Sequence, residues 1–482
     1  MLSYSKKCIA KIKWALPLVF FCGYFLTLKY FDTKSVEYSA YNLLATVSCA
    51  VLLAQIKLFE QKFVAVWIAL ILFILVYFIR FYWVTIDALP VQIMLPRIPY
   101  NAMVADRNAL LHAFKLSVMA FTSFSFSAVA LLFFMRKQNS RVSQYSGNST
   151  LSGLLAKRSL LVVTLLMMVL AYLTYKYHIG EMGASSSREA LPFHLKGVIF
   201  YIRIVAIPLI ILLSIYLAER SGHILTSRLG VLILMMHGII DMLLRNSRSS
   251  LLLSLLLVLF LMLADGIKLR RKEKVFLGVM ITVAFVMIPI MTEYRQIRVS
   301  SDLTYIEAFS NALNIGGKDL LAQIFKGLEF VLFRMPGIES LWCMIASKGE
   351  PLGIHVIDVI NSKNGIAGYL TYIIYSMDEA DNTLLAPGFV GWFYLVAGFP
   401  AIVLGSLFVG ALSVLGWKFL GCRYVESGPV AQAFFLWMLF MALTEGTLDS
   451  MVYMFFVGLI TIVVLEIGLR VFARRRAYGF NL

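Results

Sequence analysis

Charge is scarce in this sequence. Only 14% of the 482 residues are charged, where a soluble domain carries roughly a quarter. Acids are rarer still, 26 against 43 Lys and Arg, so water is not the main solvent of this chain. Cysteine is also sparse, with five in all. Cys8 and Cys422 fall in stretches assigned to the cytoplasm, Cys22 and Cys49 in apolar runs, and Cys343 alone on the exported side. One exported cysteine excludes an intramolecular disulfide. A glycine-rich phosphate loop, a Cys/His zinc spacing and a Gly-x-Ser-x-Gly elbow are all missing. ATP-driven and metal-hydrolase chemistry therefore has no support, and neither a metal nor a cofactor is expected. No repeat of 20–50 residues, low-complexity tract or strand-period alternation is present, which leaves out solenoids and outer-membrane barrels.

What is abundant is apolar side chain, 60% of the sequence, with a mean hydropathy of +0.84. The apolar residues fall in runs of about 15 to 25, enough to cross a hydrocarbon core of ~30 Å. Lipid satisfies no backbone amide, so each run must be helical. Twelve spans are read at 14–31, 38–57, 63–86, 111–135, 158–178, 197–218, 228–244, 250–265, 275–292, 386–416, 430–444 and 451–470. The first follows a basic stretch with no small-residue cleavage site, as in a retained signal anchor. Assigning flanking charges to the nearer side puts the net positive charge almost wholly on the side of both termini, which the positive-inside rule makes cytoplasmic. The basicity is thus a topology signal and gives no reason to expect nucleic acid. KLRRKEK at 268–274 and RRR at 474–476 read as contacts to anionic membrane lipids. The expected architecture is an all-α polytopic bundle of about 12 transmembrane helices, a single integral membrane domain over residues 1–482.

Two outside connections are not short. Residues 87–110 carry Asp87, Arg97, Asp106 and Arg107 between prolines, and residues 293–385 form an exported segment too long for a plain loop. Helical spacing of Tyr305, Phe309, Ala312 and Leu313 predicts a helix over 302–315. Further helices are expected over 320–335 and 338–346, lying on the membrane surface or capping a cavity.

The sharpest local signal is HGIIDMLLRNSRSS at 237–250. On a helix His237, Asp241, Arg245 and Arg248 stand at i, i+4, i+8 and i+11, so one face carries an imidazole, a carboxylate and two guanidinium groups. Ionisable groups at membrane depth face a partner or a watery cavity. One reading is an internal ladder that only joins helices. The other is an anion cradle, because planar guanidinium groups suit phosphate oxygens. Glu293, Arg295 and Arg298 in TEYRQIRVSSD, Arg334 in FRMPGIESL, and Arg203 inside the sixth span are further candidates. Each arginine taken singly also fits snorkelling to headgroups. His112, His178, His194, His223 and His355 are scattered and read as ordinary interfacial histidines, and Asp378–Asp381 (DEAD) as a solvated acidic turn.

RNSRSS followed by a leucine-rich helix, a long exported segment containing FRMPGIESL, and NTLLAPGFVGWFYLVAGFPAIVLGSLFVGAL at 382–412 occur in that order. In order and topology, over roughly residues 190–450, the chain resembles Wzy-type O-antigen (oligosaccharide repeat-unit) polymerases of the bacterial inner membrane. The resemblance implies transfer of a growing glycan from undecaprenyl pyrophosphate to the terminal sugar of a new lipid-linked repeat unit, on the periplasmic face and without a metal. It implies undecaprenyl-pyrophosphate-linked oligosaccharides as substrates and a chain-length co-polymerase as a partner. Under it Arg203, Arg245, Arg248, Arg295, Arg298 and Arg334 hold pyrophosphate. Asp241, His237 and Glu293 are the candidates for the base. The aromatic residues Trp392, Phe393 and Tyr394 would pack on the prenyl chain, on a sugar or in the interfacial belt.

Three rival readings remain. A lipid-linked-oligosaccharide flippase needs many spans and a basic cavity too, although matched broken spans in two halves are not evident. Another prenyl-phosphate-sugar glycosyltransferase would be expected to place paired acids in its first external loop, where this chain has only Asp32 and Glu37. A membrane scaffold without chemistry is the third.

Overall fold

The computed structural model describes residues 15–56, 63–86, 106–135, 149–180, 195–245, 247, 250–264, 267, 270–300, 303–316, 320–334, 337–347, 349–362, 365–375, 386–421, 427–444, 446 and 448–477. All regular structure among them is helical. Among the described residues nine helices are long and apolar enough to cross a membrane by length and composition, so the chain is a helical membrane protein. Two shorter apolar helices, α8 (Ser250–Leu263) and α16 (Gly428–Thr444), accompany them. At 1.5 Å per residue, α8 is about 21 Å long.

The longest of the nine, Leu16–Gln55, is two legs. Helix α1 (Leu16–Thr27) and helix α2 (Ser35–Gln55) join through a tight 3-10 stretch broken at Phe31. The Asn42 amide donates to the Phe20 carbonyl at 3.1 Å, and Thr27 and Tyr38 bond through their hydroxyls at 2.5 Å. Such contacts require the legs to fold back on each other, so this one element holds both of the apolar runs read at 14–31 and 38–57.

The chain divides into two compact units. The first takes Met1–Arg141, Phe333–Phe419 and Met438–Met451; the second takes Val142–Leu332, Leu420–Trp437 and Val452–Leu482. Besides α1 and α2, the first unit contains α3 (Val64–Thr85), α4 (Arg107–Met135), and later α12 (Ile338–Ala346), α13 (Val356–Asn361), α14 (Gly365–Tyr375) and most of α15 (Gly388–Leu420). Its core is rich in aromatic rings, with Phe20, Phe73, Phe78, Phe81, Phe114 and Phe121 all buried. Helix α15 breaks at Ala397 and Gly398 (φ +65°), just before Pro400. The break frees the Leu395 carbonyl, which accepts from the Leu352 amide at 2.6 Å.

The second unit contains α5 (Ser149–Tyr177), α6 (Leu195–Arg220), α7 (Ile224–Arg245), α8, α9 (Arg271–Ser300), α10 (Tyr305–Gly316), α11 (Leu320–Arg334, but for its end) and most of α17 (Leu448–Ala477). Helix α6 packs against α5 and α7, α7 against α8, and α9 against α10. Gly238 lets α7 and α8 approach: a Cβ there would lie 2.6 Å from the Ser254 hydroxyl and 3.2 Å from the Leu251 Cα. Helix α10 starts with a reciprocal cap. The Glu307 carboxylate accepts from the Thr304 amide (3.0 Å) and hydroxyl (2.8 Å), while the Thr304 hydroxyl accepts from the Glu307 amide (3.3 Å). Those bonds hold the exposed Glu307 carboxyl below its ordinary pKa.

Candidate functional site

The i, i+4, i+8 stripe of α7 does not stand alone. Helix α6 carries a wide π turn at Ile202–Ala206, a distortion that often marks functional positions in helices. Arg203 lies inside that turn, and its Nε sits 2.7 Å from the Asp241 Oδ1. One helical turn beyond Asp241, the Arg245 Nη1 donates to the other oxygen, Oδ2, at 2.6 Å. The Ser250 hydroxyl at the start of α8 also donates to Oδ2, at 3.2 Å. His237 bonds the Arg203 carbonyl through Nε2 at 3.1 Å. A carbonyl only accepts, so Nε2 carries the proton.

This centre is dry. Arg203 is 1% exposed, His237 3%, Asp241 4% and Arg245 7%. Among the described residues one carboxylate faces two guanidinium groups, one positive charge beyond neutrality. The Arg203 Nη1 and Nη2 and the Arg245 Nε are enclosed with no hydrogen-bond acceptor among the described residues. Guanidinium nitrogens without acceptors are costly in a low-dielectric interior. An anion placed against them removes that cost and the excess charge together.

The Arg245 guanidinium also lies over the Phe200 ring, 4.6 Å from its centroid. The turn after α5 closes on the same pair. Gly180 has φ +69°, and a Cβ there would fall 2.6 Å from the Phe200 ring and 3.3 Å from the Arg245 Nε. Only glycine meets both the backbone angle and the space. Two residues earlier His178 takes φ +49°, uncommon for a residue with a side chain. Its Nδ1 is 3.3 Å from the Tyr305 hydroxyl. The Arg298 guanidinium stacks on Tyr305 at 4.2 Å from the ring centroid and donates to the Leu303 carbonyl at 2.6 Å. Tyr294, buried on α9, donates to the Leu243 carbonyl at 3.2 Å, which pins α9 to the stretch of α7 between Asp241 and Arg245.

Of the residues singled out in the sequence, the structure gathers Arg203, His237, Asp241 and Arg245 into one centre. Arg298 stands in the aromatic cluster tied to it through Tyr294 and the 178–180 turn. Glu293 and Arg295 are half-buried on the same helix as Arg298. Arg248 lies outside the described residues, as do Asp87, Arg97 and residues 378–381. Arg334 ends α11 and belongs to the first unit.

Sequence reasoning assigned no site role to Ser250, Phe200, Gly180 or Tyr305, since nothing in their spacing points to a shared place, and read His178 as an ordinary interfacial histidine. It also passed over Arg80, whose signal was plain: a lone arginine in the apolar run ILVYFIRFYWV. In the first unit Arg80 follows a second π turn, Ile74–Ile79, and its Nε lies 2.7 Å from the Glu339 Oε1. Both are buried, at 5% and 2% exposure. Helix α12 is outside the candidate spans, and burial pushes the Glu339 carboxyl above the ordinary range, more than Arg80 pulls it down. Nearby, the Tyr77 hydroxyl accepts from the Val390 amide at 3.0 Å. No group of three or more His, Cys, Asp or Glu with metal-holding geometry occurs among the described residues. Comparison of the chain with protein-family models, curated proteins and solved structures finds no match in any of the three.

Proposed function

We propose that this chain is a metal-independent membrane glycosyltransferase of the inner bacterial membrane, polymerising undecaprenyl-pyrophosphate-linked oligosaccharide repeat units into O-antigen or capsular polysaccharide on the periplasmic face. One observation carries the reading: two guanidinium groups converge on one carboxylate among apolar helices, at 2.7 and 2.6 Å, leaving a buried unit of positive charge. A lipid pyrophosphate is an anion that arrives from the bilayer, and guanidinium is the donor suited to its oxygens.

In this scheme the chain crosses the bilayer about twelve times with both termini in the cytoplasm, and the C-terminal ends of α7 and α9 lie at the periplasmic face. The acceptor sugar hydroxyl attacks the anomeric carbon of the donor. The bond from that carbon to the pyrophosphate oxygen breaks, and its electron pair leaves with undecaprenyl pyrophosphate. Arg203 and Arg245 stabilise the charge that grows on the leaving oxygens. Asp241 already accepts from Arg245 and Ser250 and pairs with Arg203 at ion-pair distance, which suits it to holding the arginines apart and oriented rather than to taking a proton. The half-buried Glu293, next to the Tyr294 that pins α9 to α7, is assigned the hydroxyl proton. A chain-length co-polymerase and anionic lipids are the expected partners.

The flippase reading is kept by one observation. A π-interrupted apolar helix carrying a buried arginine occurs in each unit, α3 in the first and α6 in the second, and transporters place broken helices in matching halves.

The surface-glycan ladder of a strain lacking this gene separates the two. Polymerase loss leaves a single repeat unit on the surface, restored to full length by the wild-type gene. Arg245→Ala should reach the membrane normally, because Asp241 keeps Arg203, yet give at least ~100-fold less polymer, the scale of losing one oriented donor to a developing anion. Loss of even the single unit, with lipid-linked repeats stranded in the cytoplasmic leaflet, would replace polymerase by flippase.

A further inference from the structure

Beside the charge centre lies a group of side chains that bear no resemblance to an anion site. The Tyr305 ring has the Arg298 guanidinium at 4.2 Å and the Tyr175 ring at 5.5 Å, tilted by 49°. Tyr175 is 52% exposed, while His178, Arg298 and Tyr305 are each half-buried. The group is held in place from several directions. The cap formed by Thr304 and Glu307 sets the start of α10, where Tyr305 stands. The bond from Arg298 to the Leu303 carbonyl fixes the preceding turn, and Phe309 on α10 meets the buried Tyr294 ring at 6.1 Å. His178 keeps a left-handed backbone to reach Tyr305. A conformation that costs free energy persists where surrounding contacts enforce it, often at a binding site.

An interfacial aromatic belt needs none of this. Belt tyrosines anchor by ring and hydroxyl alone. Rigid rings with a planar cation and an imidazole alongside suit a ligand with one apolar face and a rim of hydroxyls. A pyranose is such a ligand: its axial C–H face packs on an aromatic ring, and its hydroxyls bond the polar neighbours.

We propose that Tyr175, His178, Arg298 and Tyr305 form a sugar-binding subsite that seats a pyranose of the glycan next to the arginine centre. The proposal rests on the polymerase reading. Position supports it, because Gly180, two residues from His178, lies against Arg245, and Tyr294 joins α9 to α7 at Leu243. A sugar on this shelf is within a short reach of a pyrophosphate held by Arg203 and Arg245, as a lipid-linked oligosaccharide requires.

The test uses the full chain in lipid nanodiscs with two probes. One is farnesyl pyrophosphate, which carries the anion without sugar. The other is the repeat-unit oligosaccharide freed by mild acid from the host strain's lipid-linked pool, which carries sugar without lipid or pyrophosphate. Tyr305→Ala and Tyr175→Ala are each expected to weaken oligosaccharide binding about tenfold, ~1.4 kcal/mol, with farnesyl pyrophosphate bound as by the wild type. Tyr305→Phe keeps the ring and should retain most of the affinity. Tyr175 is exposed, so its variant does not depend on refolding of a core. Oligosaccharide binding equal in the wild type and both alanine variants overturns the subsite, as does no oligosaccharide binding by a wild type that takes farnesyl pyrophosphate. If the wild type binds neither probe, and its gene can be deleted without shortening the surface glycan, the polymerase reading fails and the subsite goes with it.

Discussion

Among the described residues two arginine–carboxylate centres are buried, one in each compact unit, and they differ in how many guanidinium groups face the carboxylate. Glu339 faces one guanidinium, that of Arg80. Asp241 is shared by Arg203 and Arg245. The matched pair joins α12 to α3 at the end of a π turn, with one guanidinium facing one carboxylate. The unmatched trio holds an extra cation that the low-dielectric interior penalises. Under the proposed function that cost is offset when the lipid pyrophosphate binds. Burial and distance are alike in the two centres, so the number of guanidinium groups facing the carboxylate is what sets them apart.

Removing charges one at a time sharpens that contrast. Asp241→Asn strands two guanidinium groups with no counter-charge and should be the most damaging change, about 3–5 kcal/mol. It would be seen as a collapse of the melting temperature in detergent or as failure to accumulate in the membrane. Arg80→Leu comes next, since it leaves Glu339 buried alone, although the carboxyl can take up a proton and so limit the loss. The double variant Arg80→Leu/Glu339→Leu should recover most of it, as apolar replacement of a whole buried pair often does. Arg203→Leu should be milder than Arg80→Leu, because Asp241 and Arg245 remain as a neutral pair. A larger loss for Arg203→Leu than for Arg80→Leu would break the stoichiometric argument.

The smallest effect is a pH dependence at the matched pair. Glu339 has its pKa raised in the folded state by burial, so the folded chain holds a proton that the unfolded chain releases. Its contribution to stability is present below the ordinary glutamate range, about 4.3, and is lost as pH rises through the raised folded value. Glu339→Gln imitates the protonated acid at every pH. Melting curves from pH 4 to 8 should therefore show the variant gaining on the wild type as pH rises, by about 1.4 kcal/mol for every tenfold by which folding tightens the hold of Glu339 on its proton. A variant that instead falls behind with rising pH would mean that the ion pair with Arg80 outweighs the burial of Glu339.

Much of the α-helical layout is legible from hydropathy and spacing. The helices at Tyr305–Gly316, Leu320–Arg334 and Ile338–Ala346 lie within a few residues of the expected 302–315, 320–335 and 338–346. The break at Phe31 inside Leu16–Gln55 falls in the polar stretch between two apolar runs. Within the site, the stripe of His237, Asp241 and Arg245 is local, because an i, i+4 spacing places side chains on one helix face whatever the rest of the chain does. Arg203 was visible as a charge in an apolar run, yet nothing in the sequence marks Asp241 as its partner 38 positions away. His178, read as an ordinary interfacial residue, stands against Tyr305, which is 127 positions away.

Composition and periodicity therefore determined by themselves that this chain is helical, apolar and membrane-borne, and which helix face carries charge. These follow from the solvent each residue meets and from a repeat of 3.6. Tertiary structure alone decided which charges meet, because pairing depends on helix packing and on the register shift that a π turn introduces. It seated Arg203 on Asp241 and Glu339 on Arg80, gave Asp241 a second guanidinium from Arg245, and closed the 178–180 turn over Arg245.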